Sequence, residues 1–365
     1  MSRTRAGHEY ISAHVRNQPG FPTFRVNAQA HRLQWNENPF DFPAELKEKV
    51  LQRLAKAPWS RYPLSLRALD LMDAVAKAYD IGSDMVVVGN GSSDILRIVI
   101  SAVLLPGDHM VVPSPTFGSY KRHAHLLGAT AHEILLDPEQ DFALPVDELL
   151  RTAAEHEAKL IVVCAPNNPT GTLYPSEQLE QVVRESDALV LVDEAYAEFS
   201  GQDLRRLLAD YDNVVLVRTF SKAYGMAGVR VGYGMAAPAV AGELQKLVST
   251  FTLSPFSEMT AIVALENMAA FQPSINRIVG ERNRLAAGLA ELPGVRVFPS
   301  GTNFILARID RPASQAIAHL LKQHNVLIGD LRGQPGYDNY LRITVGLPEA
   351  NDLTVAGLRD FLALS

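Results

Sequence analysis

The segment Asn213-Val214-Val215-Leu216-Val217-Arg218-Thr219-Phe220-Ser221-Lys222-Ala223-Tyr224-Gly225-Met226-Ala227-Gly228-Val229-Arg230 opens as an apolar run and closes as a loop of small residues that carries Lys222 and Arg230. The apolar half predicts a buried strand. A lysine just beyond such a strand, set among hydroxyl and glycine residues, is open to desolvation. A desolvated amine is nucleophilic and forms Schiff bases with carbonyl cofactors. Ser221 and Arg230 add a hydroxyl and a fixed cation, the pair that suits a phosphate group. The stretch reads as a Lys222 that holds pyridoxal phosphate (PLP). A solvated loop lysine beside an unrelated arginine is the competing reading.

Similar apolar runs precede it. Met85–Val88, His109–Val112, Leu160–Cys164 and Ala188–Val192 read as strands, and Val214–Val217 follows them. Helical patterns cover Pro43–Ala55, Leu66–Tyr79, Ile95–Leu105, Phe117–Gly128 and Ser176–Glu185. Strands that are apolar throughout and alternate with helices predict an α/β fold whose mostly parallel sheet is covered on both faces. Ligands on such sheets sit beyond the carboxyl ends of the strands. After about residue 250 the pattern changes to one long helix, Glu258 to roughly Leu292, then short strands and helices. The expected organisation is an arm over residues 1–30, a large PLP-binding domain over 31–255 and a smaller α+β domain over 256–365.

The whole-chain properties narrow the class. A chain of 365 residues with 47% apolar content supports a real core. The net charge of −6, spread along the chain, argues against a nucleic-acid or anionic-membrane partner. The single cysteine, Cys164, excludes an internal disulfide and a cysteine cluster for zinc, and no metal is expected. Met1–Gly20 has no apolar core of a secretion signal, and no apolar run has the length of a membrane span. A cytoplasmic enzyme is the expected class.

Five further pieces fall near strand ends. Gly89-Asn90-Gly91-Ser92-Ser93 opens a helix, whose free N–H groups can cradle a phosphate; a tight turn is the alternative. Asp94 stands where a dinucleotide fingerprint would have its third glycine. Pro166-Asn167-Asn168-Pro169-Thr170-Gly171 offers either an amide aimed at a ligand oxygen or a rigid turn. Asp193-Glu194-Ala195-Tyr196 places an Asp at a buried strand end, where it needs a partner. That partner is a protonated pyridine nitrogen or, if the Asp is a helix cap, backbone N–H. Phe117 suits stacking on a ring or a place in the core. Arg342, in the apolar run Leu341–Val345, needs a substrate anion or an internal ion pair.

In their order and spacing these motifs resemble the fold-type-I, PLP-dependent aminotransferases of class I/II, and within them the histidinol-phosphate aminotransferases. The resemblance runs from about Leu33 to the C-terminus. It rests on Asn36-Glu37-Asn38-Pro39, Arg61-Tyr62-Pro63, Asn167-Asn168-Pro169-Thr170-Gly171, Val192-Asp193-Glu194-Ala195-Tyr196, Thr219-Phe220-Ser221-Lys222 and Leu341-Arg342-Ile343-Thr344-Val345-Gly346. It implies a seven-stranded-type sheet in the large domain. Lys222 would form the internal Schiff base and then move the proton. Asp193 would pair with the pyridine nitrogen, Asn168 and Tyr196 would hold the phenolic oxygen, and Phe117 would stack on the ring. Gly91, Ser92, Ser93, Ser221 and Arg230 would bind the phosphate. Tyr62 would reach that phosphate from the partner subunit of a homodimer. Arg342, with Asn168, would bind the substrate's acidic end. The implied reaction is a ping-pong transfer from histidinol phosphate to 2-oxoglutarate in histidine biosynthesis, between a small-molecule amino donor and a 2-oxo acid acceptor.

The chain departs from the family pattern at two places. Ser93 replaces an acidic residue in the phosphate loop, which leaves PLP binding intact because a hydroxyl also bonds phosphate. Gly329, in Leu327-Ile328-Gly329-Asp330, stands where many relatives carry a second substrate-binding arginine; Arg332 is the nearby candidate to replace it. An aromatic amino acid aminotransferase is therefore an alternative, as is a PLP-dependent amino-acid-phosphate lyase or decarboxylase. A nicotinamide oxidoreductase built on the Gly89–Gly91 turn and a non-catalytic PLP-binding regulator are weaker alternatives.

Overall fold

The computed structural model describes residues 7–20, 27, 29–331 and 334–364. Its strands are β1 (His31–Leu33), β2 (Val86–Gly89), β3 (His109–Ser114), β4 (Thr130–Leu135), β5 (Leu160–Cys164), β6 (Leu189–Asp193), β7 (Val214–Thr219), β8 (Gly232–Ala236), β9 (Val295–Val297), β10 (Phe304–Ile309), β11 (Val326–Asp330) and β12 (Tyr340–Thr344). Seven of them form one sheet in the order β2-β8-β7-β6-β5-β3-β4. Its pairs from β7 to β4 are parallel, and β8 runs antiparallel to both β2 and β7.

The apolar runs are continuous because both faces of this sheet are covered. Side chains alternate by strand geometry. Ile161, Val163, Val190, Val192, Val214 and Leu216 enter one core. Leu160, Val162, Leu191, Val215 and Val217 enter the other. Each fully buried aliphatic side chain of this kind contributes about 1.5–3 kcal/mol. β5 and β7 are buried along their whole length. Cys164 sits opposite Asp193, and Asp193 opposite Val217, so the motif-bearing ends of β5, β6 and β7 lie side by side.

Two strands of this sheet escape the apolar-run criterion. β4 is an edge strand, largely open to solvent. β8, Gly-Tyr-Gly-Met-Ala, is buried but rich in glycine. The expected helix from Glu258 to Leu292 is in fact two, Pro255–Glu266 and Gln272–Ala290, joined by the 3₁₀ turn Met268–Phe271. Each has a proline in its first turn, where the missing N–H is harmless. The Ser254 hydroxyl caps the first by accepting from the Ser257 N–H at 3.1 Å.

A second, five-stranded sheet has the order β1-β11-β12-β10-β9. The large domain is expected to start at residue 31, but His31–Leu33 pairs in parallel with Val326–Ile328 of this second sheet. Leu33 packs in its core with Ile328 and Ile343. The boundary at 255 also shifts, because the helix Pro255–Glu266 packs on the helices Ala44–Lys56 and Leu69–Tyr79. Its Ala261, Val263 and Ala264 belong to the first core. No helix among the described residues is long and apolar enough to cross a membrane.

Candidate active site

A cavity of about 320 Å³ opens at the carboxyl edge of the large sheet, and β12 closes its far side through Arg342. Lys222, just past the end of β7, extends Nζ into it and donates to the Trp35 carbonyl oxygen at 2.9 Å. Burial pushes the Lys222 ammonium down to about 8; Arg342 and Arg230 act in the same direction, and Glu37 and Asp193 against it. The amine is therefore available as a nucleophile near neutral pH.

Asp193, at the end of β6, is buried. Its Oδ2 accepts from the Tyr120 hydroxyl at 2.6 Å, and its Oδ1 from the Ala195 N–H at 3.0 Å. Burial pushes the carboxyl up to about 6, and these two donors pull against that rise. A cation in the cavity would complete its shell. The Tyr196 hydroxyl oxygen accepts from Asn168 Nδ2 at 3.2 Å and from Asn36 Nδ2 at 3.0 Å. Phe117 lines the same cavity and meets Tyr120 edge to face at 5.6 Å.

Arg342 donates from Nη1 to Asn168 Oδ1 at 2.9 Å and from Nη2 to the Gln34 carbonyl at 2.5 Å. Its Nε is buried with no hydrogen-bond partner. Burial holds the guanidinium below its usual range. A buried cation with an unused donor can accept an anion. At Gly329, a Cβ would stand 3.4 Å from Arg342 Nη2, so the glycine leaves the flank of Arg342 clear of a side chain.

At the opposite end, Ser92 and Ser93 begin the helix Ser92–Val103, with Gly91 at φ 79° before them. Arg230 donates to Ser221 Oγ at 3.4 Å and to the Ala227 carbonyl at 3.0 Å. A Cβ on Gly91 would lie 2.3 Å from Arg230 Nη2. One on Gly232 would lie 2.2 Å from the Ser92 nitrogen. Both positions therefore require glycine for the loop and the arginine to close together. Helix-start N–H groups, hydroxyls and a guanidinium are the groups that can cradle a phosphate. The side chains present fit PLP: a cradle for its phosphate, an acid for its ring nitrogen, hydroxyl and amide groups for its phenolic oxygen, and an amine for its carbonyl.

The structure thus gathers Lys222, Asp193, Tyr196, Asn168, Phe117, Ser92, Ser93, Ser221, Arg230 and Arg342 around one cavity, with Gly91 behind the Arg230 guanidinium. It does not bring Tyr62 there. That ring is 77% exposed and stacks on Phe251 at 4.4 Å. Arg332 lies outside the described residues. Three contributors have no role assigned from sequence: Tyr120, Asn36 and Gly232. Tyr120 lies one residue into a helix that follows a strand end, which is a weak signal. Asn36 lies within a motif quoted above, but nothing in its local pattern reveals a contact with Tyr196.

Residues 30–357 match the family model for aminotransferase class I and II. The chain is 36% identical over 324 residues to the histidinol-phosphate aminotransferase of Chlorobaculum tepidum, covering 88% of this chain and 91% of that protein. It is 38% identical over 330 residues to the histidinol-phosphate aminotransferase of Thermococcus gammatolerans, covering 90% and 91%. Among solved structures, the histidinol-phosphate aminotransferase of Sinorhizobium meliloti in complex with pyridoxal-5'-phosphate superposes with a TM-score of 0.86 at 24% identity, covering 99% of this chain and 97% of that one. The L-threonine-O-3-phosphate decarboxylase of Porphyromonas gingivalis shares the fold with a TM-score of 0.80 at 23% identity, covering 91% and 99%. The architecture is that of fold-type-I PLP-dependent transferases, and the match over nearly the whole sequence shows that this chain belongs to the class I and II aminotransferase family.

Proposed function

We propose that this chain is a PLP-dependent aminotransferase that moves the amino group of histidinol phosphate to 2-oxoglutarate by a ping-pong mechanism. The observation that carries the reading is the placement of Lys222 Nζ, the Asp193 carboxylate and the Arg342 guanidinium on one cavity. The names of the relatives above support the choice of substrate.

Bound PLP supplies a carbonyl for amines to condense with and a ring that accepts the electron pair released when the donor's Cα–H bond breaks. The residues of the chain do the rest. Ser92, Ser93, Ser221 and Arg230 hold the phosphate; Gly91, whose N–H already donates to the Gly89 carbonyl at 2.8 Å, serves it only by leaving room for the Arg230 guanidinium. Asp193 holds a proton on the ring nitrogen. Tyr196 and Asn168 hold the phenolic oxygen, and Phe117 covers the ring. Lys222 Nζ, neutral above about pH 8 in the ligand-free chain, takes up and returns the Cα proton. Arg342 binds the acidic end of each substrate in turn, a phosphate in one half-reaction and a carboxylate in the other.

The working unit is a homodimer in the cytoplasm. Trp59, Tyr62, Leu64 and Leu66 are exposed apolar side chains on one short stretch, a composition that suits an interface. From it, Tyr62 reaches the phosphate of the partner's site.

The test is the visible absorbance of the purified chain with PLP, before and after glutamate, with Lys222→Ala as control. A lysine-dependent band that glutamate converts, and that histidinol phosphate also converts, supports the reading. A wild-type chain with no lysine-dependent band overturns the cofactor assignment. A band that no amino donor converts overturns the aminotransferase assignment alone.

A further inference from the structure

Asn36 is 1% exposed and has a left-handed backbone, φ 55°, which an asparagine tolerates better than most residues. It sits on the connection from β1, in the small sheet, to the helix Ala44–Lys56 on the large one. Its polar atoms are all engaged. Its N–H donates to Thr344 Oγ1 at 3.0 Å, and its carbonyl accepts from Asn303 Nδ2 at 3.0 Å. The Thr344 hydroxyl, already an acceptor there, donates to Asn36 Oδ1 at 3.1 Å. That bond fixes the carboxamide so that Nδ2 faces Tyr196 and donates to its hydroxyl oxygen at 3.0 Å.

The consequence lies at Tyr196. A phenol oxygen accepting from both Asn36 and Asn168 has its acceptor capacity filled. Its own proton has to go elsewhere, and the cavity is the open side. Two donors on the oxygen also make the O–H a stronger donor. On the other flank, Thr344 follows Arg342 on β12 by two residues. Asn36 is therefore bonded to the same strand that carries Arg342.

We infer that Asn36 is a positioning residue: it turns the Tyr196 hydroxyl into a donor to the cavity and ties that donor to the strand carrying the anion-binding Arg342. The inference rests on the cofactor reading above, in which the acceptor is the phenolic oxygen of PLP. A donor to that oxygen stabilises its anionic form, so weakening the donor raises the pH at which the bound chromophore loses its proton.

The experiment uses the full chain loaded with PLP and reads two quantities: the pH midpoint of the visible absorbance change and the PLP dissociation constant. Asn36→Gly keeps the left-handed backbone and removes the amide. It should raise the midpoint and weaken PLP about fivefold, the worth of one hydrogen bond. Asn36→Asp keeps the bond from Thr344 but takes the Tyr196 proton instead of donating; its midpoint should move at least as far. In a Tyr196→Phe background both substitutions should add nothing. Thr344→Val, which leaves Asn36 in place, should move the midpoint in the same direction by less, and it keeps the test alive if an Asn36 variant does not fold. Midpoints and affinities equal to wild type, with only the melting temperature lowered, overturn the inference. So do effects of equal size with and without the Tyr196 hydroxyl. A wild-type chain that gives no lysine-dependent band at all overturns the cofactor reading, an outcome distinct from either of these.

Discussion

The Tyr120 hydroxyl stands 2.6 Å from Asp193 Oδ2, with both groups buried. The bond favours the ionised carboxylate against the burial that raises its pKa. Tyr120→Phe removes that support. The apo-enzyme carboxyl should then titrate above its wild-type value of about 6. PLP affinity should drop roughly tenfold, as for a hydrogen bond to a charged group. Isotope-edited infrared spectra of the carboxyl and a fluorescence titration with PLP would read the two effects. An unchanged carboxyl titration would show that Tyr120 has no hold on Asp193.

Lys222 has to be neutral to attack a carbonyl. Burial lowers its pKa from 10.5 to about 8, so the neutral fraction grows as pH rises through 8. The rate of PLP capture by the apo chain should climb with a midpoint near pH 8 and level off above it. Stopped-flow absorbance would follow this directly. A rate still rising steeply at pH 10 would mean that the amine is not desolvated.

Gly232 lies against the backbone of the Gly91-Ser92 loop, where a Cβ would come within 2.2 Å of the Ser92 nitrogen and 2.5 Å of the Gly91 carbonyl carbon. Backbone cannot yield as a side-chain tip does. Gly232→Ala should therefore cost about 1–3 kcal/mol of stability and weaken PLP roughly tenfold. Gly242, in the helix Pro238–Leu244, has no atom within 4 Å of its built Cβ. Gly242→Ala should leave PLP affinity unchanged and slightly stabilise the helix. Equal affinities for the two variants would contradict the close approach.

Glu198 is a buried carboxyl whose two oxygens find no hydrogen-bond partner in another residue. Burial pushes it up to about 7, against an ordinary value of 4.5; Arg218 opposes the rise. The folded chain thus keeps a proton that the unfolded chain releases. The associated stability is complete below pH 4.5 and is lost as pH rises through 7, a change of about 3 kcal/mol. Glu198→Gln should lack this loss, so its melting temperature should gain on that of wild type as pH rises from 4.5 to about 7, with the gap levelling off above that. Parallel melting curves across that range would exclude the linkage.

Much of the large sheet is legible in the sequence because its central strands are buried on both faces, as in Leu160–Cys164 and Val214–Val217. The site is legible for the same reason: polar residues that end such runs, Asp193 and Asn168 among them, stand out against their surroundings. What is not legible depends on partners distant in sequence. The three residues of β1 form a strand only because β11 is there to pair with them. β8 is strand-forming in spite of two glycines, which are needed where backbone and side chains of other elements approach. Tyr120 and Asn36 have ordinary local surroundings, and their roles come from hydrogen bonds to Asp193 and Tyr196 that span 73 and 160 positions. The Tyr62 surface is the converse case. Its apolar residues are visible in the sequence, but which of them face solvent is set by the turn that carries them.

The pairing of β1 with β11 bears on how the gene could be divided. A cut within Met268–Phe271 would give two polypeptides, neither self-sufficient. The downstream piece would present β11 with an open row of N–H and C=O groups, and the upstream piece would carry His31–Leu33 with no sheet to join. Co-expression should reunite them, because the missing strand of one is the spare strand of the other. The contacts from Gln34 and Asn36 to Arg342 and Thr344 lie on that joint. Recovery of PLP binding by the mixed pieces would then report fragment complementation.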